Sequence, residues 1–331
     1  CHQCLFGSKN SRVGESWSDM TERQPVDSVE IPSPGNADSA WQIRRDRLRF
    51  HLRSLRLAWY AYAKDNAALG ALIFLAVIVL ISLLAPVISP YDPAEAAGAI
   101  AAPPGTDGLI LGADVDGRDI LSRLFWGGRI ALLVGIGPTV VATLVSLFIG
   151  LAAGYFGGWF DQILMRIIDV VFAFPLVLLA IVIAGVLEPG VWTVILAISI
   201  ALTPYIARLV RTTTLNVKQQ PYVEAARAGG AGDLAIILRY ILPNMIPPVL
   251  VFATTLIGLM MVVGSGLSFL GLGIQPPEAD WGTMVAEGRG VLRKAPHITI
   301  FPGVVIVLVA LSFNFIGDGL RDALDPRRRS R

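Results

Sequence analysis

The stretch AALGALIFLAVIVLISLLAPVI, residues 67–88, decides the fold class. It contains no charged side chain, and Lys64 and Asp65 stand just before it. A helix needs about 20 apolar residues to cross the hydrocarbon core of a bilayer, and a charge near its centre costs roughly 2.5 to 3.5 kcal/mol. The stretch therefore predicts a transmembrane helix.

Five more gaps between charges have the same character. The composition agrees, because 54% of the 331 residues are hydrophobic and 16% are charged, whereas soluble chains carry about 25% charged residues. The hairpin-like turn Glu188-Pro189-Gly190 separates two of the gaps. We predict an all-α integral membrane protein with six transmembrane helices, the further five lying at about 130–153, 167–187, 191–207, 244–267 and 298–316.

Lysine and arginine are distributed unevenly between these spans. With both termini in the cytoplasm, most of them fall on the inner side, as the positive-inside rule requires. A net charge of +2 is too near neutral to indicate nucleic-acid binding. The outer segments keep only Arg118, Arg123, Arg129, Arg289, Arg293 and Lys294.

The part before the first span carries two further predictions. Residues 1–40 are rich in Ser, Pro, Gly, Asp and Glu, which predicts a disordered tail, and Met20 is a candidate for the true start. Cys1 and Cys4 lack the second ligand pair that a zinc site needs. Residues 41–65 interleave apolar residues with arginines, which predicts a basic interfacial helix; a solvated basic linker is the alternative.

The sequence matches none of the following catalytic or metal-binding motifs in full. No lysine follows a glycine, so there is no phosphate-binding loop, and Val263 breaks the pattern of an intramembrane serine protease around Ser265. Residues 114–119 resemble a calcium loop, but Asp119 occupies the place of the required glycine. We therefore predict no catalytic residue, no metal site and no cofactor in this chain.

Two features inside the spans are assigned to structure. Asp169 is an ionisable residue in the third span, and Arg166, three residues earlier on the same helical face, is its expected partner. Gly150 and Gly154 form a small-xxx-small step, which is typical of close helix packing.

A loop between the fourth and fifth spans is too long for a plain connection. Pro221 suits the first turn of a helix, and Glu224 lies favourably near its positive end. Ala225 and Ala226 are strong helix formers, and Gly230 with its neighbouring glycine ends that helix. The loop therefore predicts a short helix on the inner face.

A second short helix is predicted directly after the glycines. Asp233 is placed as its cap, and the helix covers residues 234–241. It is expected to end before Pro243. Together the two helices form a compact docking element.

This loop resembles the coupling motif of membrane subunits of ATP-binding-cassette (ABC) importers. The resemblance rests on Glu224-Ala225-Ala226, on Gly230 and on Leu242-Pro243. Five further stretches resemble the C-type permease subunit of dipeptide and oligopeptide importers, over roughly residues 57–327: 85–93, 111–124 with Gly112, Asp114, Gly117, Arg118 and Asp119, 154–159, 267–273, and the tail 317–326. Ala113 and Tyr240 depart from the family pattern.

The resemblance implies a type I ABC importer permease fold. Residues 66–128 then hold the first span and an extracytoplasmic loop, residues 129–320 the main transmembrane domain and residues 321–331 a basic cytoplasmic tail. Residues 221–243, hereafter the coupling segment, fit a cleft on a separate ATPase. The implied location is a bacterial or archaeal cytoplasmic membrane.

The resemblance also implies the rest of the machine. The partners are a second, B-type permease, two ATPase subunits or domains that hold ATP and magnesium, an extracytoplasmic binding protein and membrane lipid. The implied cargo is dipeptides or oligopeptides, with nickel or cationic peptides as the alternative. An ion-driven secondary transporter and a membrane enzyme are other classes, and the substrate-binding residues stay open.

Overall fold

The computed structural model describes residues 59–60, 62–106 and 108–324. The predicted tail, the two cysteines, most of the predicted interfacial helix and residues 325–331 lie outside them. In the described part, ten α-helices and no strand are found. The helices are α1 (Asn66–Ile88), α2 (Ile120–Phe156), α3 (Gly158–Phe172), α4 (Leu176–Val186), α5 (Val191–Lys218), α6 (Pro221–Ala228), α7 (Asp233–Ile236), α8 (Leu242–Phe269), α9 (Trp281–Gly288) and α10 (His297–Leu324).

The helices that can cross a membrane match the sequence prediction in number. In the described part, α1, α2, α5, α10 and the continuous stretch Asp233–Phe269 are long and apolar enough to span individually. The pair α3 and α4 is the sixth candidate, counted as one span with a bend of 83°. The predicted all-α membrane fold is confirmed.

The prediction of one continuous helix over 167–187 is wrong. Residues 173–175 separate α3 from α4. Pro175 has an extended ψ of 131°, and a proline disfavours helical geometry in the residue before it. The third span is therefore a broken span, with α3 and α4 pointing in clearly different directions.

The second span begins earlier in the chain than predicted. Asp119 caps α2 by accepting a hydrogen bond from the Ser122 amide at 2.9 Å, so that Arg123 and Arg129 lie inside the helix. The guanidinium of Arg129 donates to the carbonyl oxygens of Ser82 and Leu83, at 2.7 and 2.8 Å. These charges are tolerated in the helix because they have partners.

Helix α2 lies at the centre of the bundle. It packs along α5 and also against α8 and α1, while α10 packs against α8 and α1. A Cβ atom on Gly150 would lie 2.7 Å from the Ala207 carbonyl oxygen, and one on Gly154 would lie 2.8 Å from Thr214 Cβ. The predicted close helix packing at Gly150 and Gly154 is confirmed, since only glycine permits this approach of α2 to α5.

Candidate functional site

Helix α6 forms as predicted within the coupling segment. It begins at Pro221, carries Glu224 in its first turn and ends before Gly229 and Gly230, the latter at φ +80°. Val223 is its one buried residue, and Glu224 is exposed. The helix is therefore held by one apolar side chain and presents its charged face outward.

The placement of Asp233 as a helix cap is wrong. Gly232 is the capping residue of α7 and makes no side-chain cap bond. Asp233 lies in the first turn, and its Oδ1 accepts a hydrogen bond from the Tyr155 hydroxyl at 2.5 Å. Its carboxylate thus connects the coupling segment to the end of α2 instead of closing its own helix.

The second short helix also does not end before Pro243. A π-helical turn, Ile237–Ile241, leads directly from α7 into α8, which begins at Leu242. Proline has no amide hydrogen for the bond to the residue four positions earlier, but it is tolerated in the first turn of a helix. The wider turn places Pro243 there, so the coupling segment continues into the fifth span without a break.

Apolar side chains seat the coupling segment on the membrane helices. Val223, Ile236 and Ile241 are fully buried and belong to one cluster with Tyr155 of α2 and Val210 of α5. The sequence pattern did not identify this cluster, because its residues come from five separate elements.

The predicted motif of the α1–α2 connection folds onto itself. Gly112 and Gly117 both have φ near +80°, a conformation that favours glycine. The Asp114 carboxylate is buried and accepts bonds from the amides of Asp116 and Arg118 at 2.8 Å and from Arg118 Nε at 2.9 Å. This part of the motif therefore fixes the shape of the loop.

The charges of this loop continue into a buried network, hereafter the Asp114 network, of Asp114, Arg118, Arg123 and Glu287. The Arg123 guanidinium contacts Asp114 and donates to Glu287 at 2.6 Å. Arg118 reaches the same glutamate at 3.2 Å. The network ties the α1–α2 connection to α9, and its members form ion pairs with one another.

Sequence reasoning missed Arg123 and Glu287 as members of this network. They stand 164 positions apart, and no local pattern joins them. The one available signal was an arginine inside an otherwise apolar helix, which requires a buried partner.

The prediction that Arg166 pairs with Asp169 is wrong as well. Asp169 pairs with Arg208 of α5 at 2.6 Å, and Asp161 receives two bonds of 2.6 Å from Arg211. These pairs connect α3 to α5 and line a polar cavity of about 480 Å³. Helix packing therefore overrides the partner that lies closer in sequence.

Two sequence families match this chain. One, described as a binding-protein-dependent transport system inner membrane component, covers residues 146–330. The other, described as the N-terminal transmembrane domain of oligopeptide transport permease C, covers residues 54–104.

Curated relatives and solved structures are also similar to it. The glutathione transport system permease protein GsiD of Pectobacterium atrosepticum is 42% identical over 273 residues, which cover 82% of this chain and 91% of the relative. GsiD of Escherichia coli is also 42% identical over 273 residues, covering 81% and 89%. An inward-facing structure of the MetNI methionine ABC transporter has a similar fold, with a TM-score of 0.51 and 17% identity over 60% of this chain and 95% of that one.

Proposed function

This chain belongs to the family of binding-protein-dependent transport system inner membrane components, and on that premise we propose that it imports peptides in a machine driven by separate ATPase subunits. As a member it is a multi-pass inner-membrane permease subunit of an ABC importer, a role distinct from that of an enzyme. It forms half of the translocation pathway, and a second, B-type permease forms the other half.

The similarity to glutathione permeases supports a peptide cargo. Glutathione is itself a small peptide, and the family matched by residues 54–104 is described as part of an oligopeptide permease. We assign dipeptides and oligopeptides as the cargo class. An extracytoplasmic binding protein delivers them, and nickel or cationic peptides are outcomes that the cargo experiment separates.

The exposed face of α6 supports the proposal that an ATPase subunit docks on this chain and drives transport. Val223 is the one buried residue of this helix, while Tyr222, Glu224 and Ala225 remain exposed. Among the described residues the Glu224 carboxylate has no ion-pair partner, so that this helix offers a charge and a free surface to a partner. Here the partner is an ATPase subunit that holds ATP and magnesium. The coupling segment and both termini then lie in the cytoplasm.

Reconstitution tests the whole proposal. The chain is coexpressed with a B-type permease and ABC ATPase subunits from the same organism, purified through its own tag, and placed in proteoliposomes with an extracytoplasmic binding protein. The ATPases are expected to copurify, and labelled dipeptide or glutathione is expected to enter only with ATP. Absence of the ATPases contradicts the coupling role, and uptake of nickel but not of peptide contradicts the cargo assignment.

Reversing the charge of Glu224 tests the docking face alone. Glu224→Lys is expected to lower uptake by about tenfold or more, because a like charge opposes docking at a surface adapted to a carboxylate. Membrane insertion, measured by the yield of folded protein, stays normal. Glu188→Lys is the matched control, because Glu188 is exposed in the α4–α5 turn; equal uptake by the two variants would refute the assignment of Glu224.

A further inference from the structure

Tyr155 lies where the coupling segment meets the membrane helices. It stands in the last turn of α2 and is 4% exposed. Its hydroxyl donates to the Asp233 carboxylate at 2.5 Å, and Arg227 of α6 interacts with it electrostatically. The ring thus connects both short helices of the segment to α2.

The backbone carbonyl group of Tyr155 connects the end of α2 to α5. Lys218, the last residue of α5, donates its ammonium to the Tyr155 carbonyl oxygen at 2.5 Å. The ammonium also lies 5.3 Å from the ring centroid. Carbonyl groups in the last turn of a helix have no partner in that helix, and a lysine satisfies one favourably. The ends of α2, α5 and α7 are therefore joined at one residue.

The two membrane helices joined at this point pack closely against each other. Gly154 directly precedes Tyr155, and a Cβ atom there would lie 2.9 Å from the Arg211 carbonyl oxygen of α5. Gly150 makes a similar approach one turn earlier. Because interiors packed this closely do not deform continuously, a displacement of Tyr155 moves α2 and α5 as a pair.

The apolar contacts of the segment do not have this directionality. Val223 and Ile236 are buried in the apolar cluster, and hydrophobic contact has no preferred direction. A hydrogen bond to a carboxylate is charge-assisted and fixes both distance and angle. The apolar seat holds the segment in place, whereas the Tyr155–Asp233 bond sets its position relative to α2.

We propose that Tyr155 is a positioning residue for energy coupling, which transmits displacement of the coupling segment to the α2–α5 pair through its hydrogen bond with Asp233. The inference rests on the proposed function, since it requires that an ATPase moves the segment. It adds a specific connection from the docking face to the helices of the pathway.

The test measures peptide taken up per ATP hydrolysed in the reconstituted complex. Tyr155→Phe keeps the ring and the Lys218 contact but removes the hydroxyl. The ATPases are expected to copurify in normal amounts and to hydrolyse ATP, while uptake per ATP falls about five-fold, the shift that one hydrogen bond of ordinary net strength supplies. Tyr205→Phe, which removes a hydroxyl from a ring packed on Phe172, is the matched control.

Substitutions at Asp233 separate positioning from a merely structural effect. Asp233→Leu is expected to lower uptake per ATP as much as Tyr155→Phe does. Asp233→Asn is expected to keep most of the normal uptake per ATP, because it retains an oxygen acceptor. The double variant Tyr155→Phe/Asp233→Leu is expected to have an uptake per ATP no lower than that of either single variant. A normal ratio in Tyr155→Phe, or losses that multiply in the double variant, would overturn the inference.

The failure of this inference is distinguishable from the failure of the proposed function. If the unmodified chain recovers no ATPase, the proposed function fails and the role of Tyr155 fails with it. If the ATPases copurify, Glu224→Lys stops uptake and Tyr155→Phe leaves uptake per ATP unchanged, only the role of Tyr155 is wrong.

Discussion

The α1–α2 connection and the coupling segment are both polar stretches between apolar helices, and they place their charges in opposite ways. In the first, the side chains of Arg123, Asp114 and Arg118 are at most 5% exposed and pair with one another and with Glu287. In the second, Glu224 is exposed. Charges paired inside the chain stabilise its own fold, whereas exposed ones are available to another subunit.

This difference has a thermodynamic consequence. Removing a charge from water costs several kcal/mol, which a buried network repays only while every member is present. An exposed charge has lost little hydration, so that replacing it changes the free energy of unfolding little. Substitutions in the α1–α2 connection should therefore lower stability, whereas substitutions of exposed charges in the coupling segment should lower transport and leave stability nearly unchanged.

The largest predicted effect is that of Arg123→Met. The change leaves the buried Asp114 carboxylate and the partly buried Glu287 carboxylate with Arg118 as their remaining cation, and we expect a loss of about 3 to 5 kcal/mol in the free energy of unfolding. Thermal unfolding of the purified chain in detergent measures it.

Asp116→Asn is the matched control for that loss. The Asp116 side chain is 62% exposed, so its contact with Arg118 contributes at most about 1 kcal/mol. Glu224→Lys in the coupling segment is expected to unfold like the unmodified chain. If Arg123→Met is as stable as either variant, the separation between the two regions does not hold.

Two glycines of nearly the same backbone conformation extend the comparison. Gly117 and Gly230 both have φ +80°, where an alanine costs about 1 to 2 kcal/mol. A Cβ atom on Gly117 would lie 2.6 Å from the Gly98 carbonyl oxygen, whereas no neighbouring atom of the described residues lies within 4 Å of one on Gly230. Gly117→Ala should therefore lose about 1 to 3 kcal/mol more than Gly230→Ala in thermal unfolding. Equal losses would show that the α1–α2 connection is not tightly packed at Gly117.

The helices could be predicted from the sequence because each depends on local properties. Hydrocarbon length and the cost of charge select the spans, and Pro221 and Gly230 mark the limits of the first coupling helix within a few residues. Pro175 is a sequence feature that is typical of a break in a helix. The angle between α3 and α4 at that break depends on how α4 packs on α5.

The partners of the charged residues could not be predicted in this way. Arg123 with Glu287 and Asp169 with Arg208 join elements far apart in the chain, and Tyr155 bonds Asp233 across 78 positions. Sequence distance favoured Arg166 for Asp169 and a cap role for Asp233. Each was displaced by a partner that only the packing of α2, α3 and α5 brings near.

The smallest predicted effect concerns Asp280, a buried carboxylate outside the Asp114 network. It caps α9, and the groups that face it in the described part of the chain are the amide and hydroxyl of Thr283, the amide of Gly282 and Ser268. Burial raises the pKa of Asp280 above its usual value, and these hydrogen bonds lower it only in part.

The sign of the pH dependence follows from that direction. Because the folded chain holds this proton more tightly than the unfolded chain, the stability contributed by Asp280 falls as the pH rises from the unfolded pKa, about 3.9, through the raised folded pKa. Asp280→Asn keeps an oxygen for the Thr283 amide and removes the charge. Its thermal midpoint should therefore gain on that of the unmodified chain as the pH rises from mildly acidic to neutral. If the thermal midpoint of the unmodified chain rises relative to that of Asp280→Asn instead, the folded chain stabilises the ionised Asp280 carboxylate. A buried carboxylate in this chain would then not need a paired cation of the kind that Arg123 provides for Asp114.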